Sequence, residues 1–300
     1  MISTISIISM CITLIVTLIL PLLLYVGYGI WKNKNEVWLA GILGAVGFSV
    51  LQLGIRIPIL NKVAQIPSFS QWISEYYIWY CLILAFTAGL FEVIGRYAVA
   101  KILCWKKKVA LELTYETGIA AGIGHGGIEA VLIVGMTYIN NLLFTIMINT
   151  GEWESMLAEI KVAAEQMGDM SIYQIYETIP QQLIDTPWYL YLAAGYERIL
   201  TIIAHIAMTL IVFYFVSKKK DLTGILICLL CHTMLDFVSA VMSGLATDYM
   251  GNKLTQNTSY ICIYLFLTIV AAVSAVFLVR MGKVWRSETP DAVCEIEKTA

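Results

Sequence analysis

Charge is what this sequence has least of. Only 13% of its 300 residues are charged, against 59% that are hydrophobic, and the mean hydropathy is +0.79. Soluble domains carry about 25% charged residues, so that class is excluded. No polar interval is long enough to bury a core of its own; the longest runs over about 147–187. Tandem repeats and low-complexity tracts are absent. So are the His-Glu-x-x-His string of many zinc proteases and a Ser-His-Asp arrangement. The first apolar run has no basic residues before it and no small-residue cleavage site after it. A retained helix is therefore expected rather than a cleaved leader.

What the chain does have is long apolar runs, each able to cross a hydrocarbon core of roughly 30 Å as a helix. Seven are read, at about 4–30, 37–61, 76–100, 117–146, 188–216, 221–245 and 259–281. The expected architecture is all-α: a membrane helix bundle over 1–286, with a motif-bearing core over 76–245 and a disordered acidic tail over 287–300. Basic residues follow alternate spans: Lys32 and Lys34, Lys101 and Lys106–Lys108, Lys218–Lys220, then Arg280, Lys283 and Arg286. The opposite intervals are poor in lysine, and the longest is acidic. The positive-inside rule then puts the N-terminus outside and the C-terminus in the cytoplasm. In that long interval, 152–166 has helical periodicity, with Trp153, Met156, Leu157, Ile160 and Ala163 or Ala164 on one side. It is expected to lie on the membrane surface or to cap the outer face. The segment 62–75 is also mildly amphipathic, and Asn257-Thr258-Ser259 is a formal sequon with nothing to support it. The seven cysteines lie mostly in spans and read as packing residues rather than a disulfide framework.

The string CLLCHTMLDF (228–237) carries two signals. Cys228-x-x-Cys231-His232 matches a haem-attachment pattern. His232 and Asp236 instead place an imidazole and a carboxylate one turn apart on one helix face. A mid-span position argues against haem, which is attached in exposed segments.

An ionisable group inside a bilayer is costly enough to mark a functional site by default. The chain has three histidines, His125, His205 and His232, and each falls within a span. The same spans hold Glu92 and Arg96, Glu129, Glu197 and Arg198, and Asp236. Glu92/Arg96, His125/Glu129 and His232/Asp236 are four apart and share a face; so do Arg198 and His205, seven apart. Glu197 lies about 100° round the helix from Arg198. Polar stripes of this kind must turn inward and meet. At 1.5 Å per residue, His205 and His232 lie roughly 16–20 Å from the lysine-rich boundary, with Glu129 at similar depth and Glu92 shallower. The glycines of GIGHGG permit close helix approach or a local break that admits water. A hydrated pocket opening toward the cytoplasm is the expectation. Ion pairing alone also accounts for Glu92–Arg96 and Glu197–Arg198. Arg56 has no equivalent partner and is expected to snorkel, and Glu112 and Glu116 to be solvated at the entry to the fourth span.

Carboxylates with imidazoles and no nucleophile suit activation of water: a glutamate takes the proton while imidazoles orient and stabilise the oxyanion. A zinc site on His125, His205 and His232 is the alternative with the same reaction. A proton-coupled transporter or membrane binding protein is the alternative from another class, although no inverted repeat supports it.

Read in order, AGLFEVIGRY (88–97), GIGHGGIEA (122–130), ERILTIIAH (197–205) and HTMLD (232–236) resemble the YhfC family of bacterial membrane proteins. These are regarded as glutamic-type intramembrane proteases related to the PrsW and CAAX-protease (CPBP) group. The resemblance implies an endopeptidase of a bacterial cytoplasmic membrane, with no cofactor. Its substrate would be a membrane protein or lipidated peptide, and nucleic acid is not a partner. Glu92 with Arg96, Glu129, Arg198 with His205, and His232 with Asp236 fall in the four motifs. Glu92 or Glu129 is then the general base, and His205 and His232 orient water and oxyanion. His125, Glu197 and Arg198 are supporting. The chain departs from the pattern where Phe91 and Val93 leave Glu92 unpaired, and where Asp236 replaces an asparagine.

Overall fold

The computed structural model describes residues 1–105 and 113–288. The described chain is helical and has no strand. Seven of its helices are long and apolar enough to cross a membrane: α1 (Thr4–Lys32), α2 (Asn35–Ala64), α4 (Tyr77–Cys104), α5 (Tyr115–Thr150), α8 (Trp188–Ser217), α9 (Asp221–Gly244) and α10 (Gln256–Glu288). Shorter helices α3 (Pro67–Glu75), α6 (Trp153–Met167) and α7 (Ser171–Asp185) fill the intervals. Each of the seven runs expected from composition is present. The surface explains why: Ile261, Leu265, Ile269, Val273 and Val276 form an exposed apolar stripe down α10, while Glu92, Arg96 and all three histidines are buried. Such a stripe is untenable in water and natural in lipid. The protein is an integral membrane protein. Lys106–Lys108 and Glu112 lie outside the described residues, as does the expected tail from 289 onward. Ser287 and Glu288 are still helical.

The chain divides into two compact units, residues 1–23 with 130–199, and 24–129 with 200–300. In the first, Ile2, Met10, Tyr138, Leu183 and Tyr191 form the apolar core. Polar groups bonded inside it fix the helices: Thr13 Oγ1 and the Tyr138 hydroxyl both donate to the Tyr191 carbonyl, at 2.6 and 2.9 Å. The helix expected over 152–166 is α6, and its predicted face is the inward one, with Trp153 and Ala164 buried.

In the second unit, ion pairs tie the lysine-bearing helix ends together. Lys32 meets Glu116 at 3.7 Å, Lys101 pairs with Asp221, and Lys218 meets Glu288 at 2.7 Å. Exposed pairs add little stability. Their use is topological: they set helix ends side by side as alternating spans require. Helix approach in this unit is controlled by glycine. A Cβ on Gly124 of α5 would lie 1.9 Å from the Gly41 carbonyl oxygen of α2, and one on Gly122 would lie 2.5 Å from the Ile206 Cα of α8. Of the two roles open to the glycine-rich stretch, close approach is the one found, and α-helix continues unbroken through Glu129. Gly124→Ala should therefore cost more than the roughly 1–3 kcal/mol of ordinary overpacking, because the atom in the way is backbone. Gly27 has nothing within 4 Å of its Cβ position, so Gly27→Ala should be neutral or stabilise by up to about 1 kcal/mol. Thermal unfolding of both variants in detergent tests the contrast.

Candidate functional site

The polar stripes converge in the second unit. α4 contributes Glu92 and Arg96, α5 contributes His125 and Glu129, α8 His205 and α9 His232 and Asp236. Glu92 is the hub. It is 3% exposed, and it sits at the level of the histidines rather than shallower. Its Oε1 accepts from Gln52 Nε2 at 2.8 Å. Its Oε2 accepts from Arg96 Nη2 at 3.0 Å and from His125 Nε2 at 2.9 Å. His232 Nδ1 and His205 Nδ1 lie 3.4 and 3.6 Å from the same oxygen. The rings pack on one another, with centroids 5.4 Å apart for His125 and His205 and 5.6 Å for His205 and His232.

Proton positions follow from what each neighbour can do. Arg96 Nη2 also lies 2.7 Å from His205 Nδ1. A guanidinium only donates, so Nδ1 is an acceptor and the His205 proton is on Nε2. That nitrogen is 2.9 Å from Glu129 Oε2. His232 differs: Nε2 faces Asp236 Oδ2 at 3.2 Å and Nδ1 faces Glu92 Oε2 at 3.4 Å, so both ring nitrogens meet carboxylates, and Nδ1 is buried without a hydrogen-bond partner. Arg96 is further anchored by its Nε, which donates to Thr209 Oγ1 at 3.2 Å.

One ligand atom each from Glu92, His205 and His232 lies within 4.8 Å of the others. A carboxylate and two imidazoles suit a divalent transition metal, and three protein ligands are the usual count where a position stays open for substrate. Each imidazole is held from behind by a carboxylate, the arrangement that orients metal-binding histidines. The residues therefore fit a metal, but not in the set read from the histidines alone: His125 spends its Nε2 on Glu92, and Glu92 takes its place. Arg96 is the counterweight, since its Nη2 already donates to two of the three ligand residues, Glu92 and His205.

Of the other residues singled out from sequence, Arg198 pairs with its neighbour Glu197 within the first unit. Cys228 is buried and Cys231 exposed, so they share no face on which a haem would sit. Arg56 does not snorkel. It donates to the Leu84 carbonyl at 2.8 Å, to Thr87 Oγ1 at 3.2 Å and to Gln52 Oε1 at 3.3 Å. Gln52 went unread, although its spacing of four to Arg56 repeats that of the other pairs and an amide within an apolar run is itself a signal.

No solved structure matches the chain. An uncharacterised membrane protein YhfC of Bacillus subtilis (strain 168) is 27% identical over 270 residues, covering 88% of this chain and 93% of that protein. The family model described as YhfC intramembrane metalloprotease matches residues 16–251. That match takes in every residue of the buried cluster, and its description is of a metalloprotease, so the expectation of a site without cofactor is not supported. With well over half of its length matched, the chain belongs to the YhfC intramembrane metalloprotease family.

Proposed function

We infer that the protein is a metal-assisted intramembrane endopeptidase whose centre is Glu92, His205 and His232, backed by Glu129 and Asp236. One observation carries this reading. His232 Nδ1 and Glu92 Oε2 lie 3.4 Å apart, and Nδ1 is buried without a hydrogen-bond partner. Only a cation between them, a proton or a metal, makes such a contact favourable.

Held by Glu92, His205 and His232, a divalent cation would supply Lewis acidity toward the scissile carbonyl and the attacking water. The chain's own residues do the rest. Glu92, His205 and His232 present their lone pairs, and Asp236 and Glu129 hold the opposite N–H of each imidazole so that neither ring turns. Glu129 is partly accessible, with its side chain 17% exposed. It takes the proton from the attacking water as oxygen bonds to the carbonyl carbon, and passes that proton to the amide nitrogen as the C–N bond breaks. The substrate is a membrane-embedded or membrane-anchored peptide, because the centre lies among spanning helices. The lysine distribution supports an N-terminus outside and a centre that opens toward the cytoplasm.

A glutamic mechanism without metal is the second reading. It is favoured by Arg96, whose guanidinium already supplies a cation to Glu92 and His205. Glu129→Gln, His205→Ala and His232→Ala should each lower cleavage by about 10²–10⁴-fold while the protein still folds. Membrane proteomes of wild-type and Glu129→Gln cells identify the substrate as the protein that accumulates uncut in the variant. Full cleavage by all three variants overturns both readings. Chelation with zinc add-back separates them: loss and recovery of cleavage supports the metal, and indifference supports Arg96 as the resident cation.

A further inference from the structure

Gln52 has no part in the proteolytic chemistry described so far, yet it takes one whole oxygen of Glu92. α2 leaves α-helical geometry over Ser49–Arg56, where its turns are π-helical. Wide turns of this kind are rare and recur at functional sites. Gln52 is the buried residue of that stretch. Its Nε2 donates to Glu92 Oε1 at 2.8 Å, and its Oε1 accepts from Arg56 Nη1 at 3.3 Å. Arg56 is fixed in turn by Thr87 and Leu84, both on α4, the helix that carries Glu92.

The neighbours settle which way the amide faces. A guanidinium only donates and a carboxylate only accepts, so the carbonyl end must meet Arg56 and the NH₂ end must meet Glu92. Turned over, the amide would set donor against donor and acceptor against acceptor. The terminal torsion of a glutamate is soft and roughly two-fold, so an unclamped carboxylate exchanges its two oxygens. With Oε1 committed to Gln52, Oε2 is the oxygen left for Arg96, His125, His205 and His232. A neutral donor does this without cancelling the charge of Glu92, which a second arginine in contact would do.

The geometry points to Gln52 as a positioning residue of the proteolytic centre: it clamps Glu92 so that Oε2 is presented to His205 and His232, and Arg56 holds the clamp in its one productive orientation. This rests on the ligand set proposed above. Outer partners of metal ligands are worth about 10–100-fold in metal affinity, and that is the effect to measure.

Co²⁺ is the probe, titrated into the full chain purified in detergent and followed by visible absorption. Wild type should bind one Co²⁺ per chain, and Gln52→Leu should bind it about 10–100-fold more weakly with an altered spectrum. Arg56→Met should weaken binding by a smaller factor, and the double variant should be no weaker than Gln52→Leu, because the arginine acts through the amide. Gln52→Glu keeps the size and the partner Arg56 but loses the N–H that meets Glu92. It should weaken binding as leucine does, and it carries the test if a buried leucine prevents folding. Wild-type affinity in a folded Gln52→Leu or Gln52→Glu overturns the clamp.

No Co²⁺ binding by wild type would instead overturn the ligand set. The clamp is then read in metal-free protein by ¹⁵N-histidine NMR, where the chain's three histidines all report on this site. Gln52→Leu should displace the His125 and His232 signals; unmoved signals overturn the clamp.

Discussion

Glu92→Gln should abolish proteolysis and destabilise the protein at once, the largest combined effect of any single substitution in the cluster. Both oxygens of Glu92 accept: Oε1 from Gln52, and Oε2 from Arg96 and His125. A glutamine at this position has one acceptor end and one donor end. Whichever way it turns, its NH₂ opposes at least one buried donor. It also leaves the Arg96 guanidinium, 1% exposed, without its counter-charge. Breaking a buried ion pair from one side costs about 3–5 kcal/mol. Set against a typical total stability of about 5–15 kcal/mol, that is a large share. Activity should fall by about 10³-fold or more, since a charge placed at the reacting centre is worth on that order. Glu92→Asp separates the two effects: it keeps the charge, and so most of the stability, but withdraws the oxygen from His205 and His232. Thermal unfolding in detergent and cleavage of a membrane substrate measure the pair. Wild-type cleavage by a folded Glu92→Gln would remove Glu92 from the chemistry.

The membrane fold was legible because lipid leaves so few options. Seven apolar runs had to become seven helices, and polar residues within them had to face one another. The spacing of four brought out Glu92 with Arg96 and His232 with Asp236, and both pairs are in contact in the structure. Which partner each group takes across the bundle was not legible, since it depends on how closely the helices approach. Gly41 and Gly124 bring two backbones together in a way that spacing along one chain does not reveal. The group close enough together for a metal is Glu92, His205 and His232 rather than the three histidines for that reason: His125 Nε2 reaches Glu92 first. Arg56 turns inward instead of snorkelling because Gln52, four residues before it, and Thr87 and Leu84 of α4 give its guanidinium partners inside the bundle. Glu92 lies level with the histidines rather than shallower, because spans that tilt and overhang do not share one starting level.

Arg96→Met tests what kind of cation the cluster is built around. In the structure the guanidinium donates to Glu92 Oε2, His205 Nδ1 and Thr209 Oγ1, and its Nη1 is buried without a hydrogen-bond partner. Arginine and a metal thus compete for the same lone pairs of Glu92 and His205. Removing the arginine from metal-free protein takes away the fixed positive charge beside buried Glu92, at a cost of about 3–5 kcal/mol. The same substitution frees His205 Nδ1, so a divalent metal should bind the variant more tightly than it binds wild type. Zinc at a hundredfold excess over its dissociation constant would return about 2.7 kcal/mol, most of what the substitution removed. The expected result is a variant that is unstable alone and restored by zinc, beside a wild type that zinc stabilises less. Differential thermal unfolding with and without zinc, with cleavage assayed in parallel, reads both. Recovery of cleavage together with stability would make the metal the working cation and Arg96 its placeholder. Recovery of neither would make Arg96 itself the permanent counter-charge of Glu92, because a carboxylate this deeply buried cannot stay ionised with no cation against it.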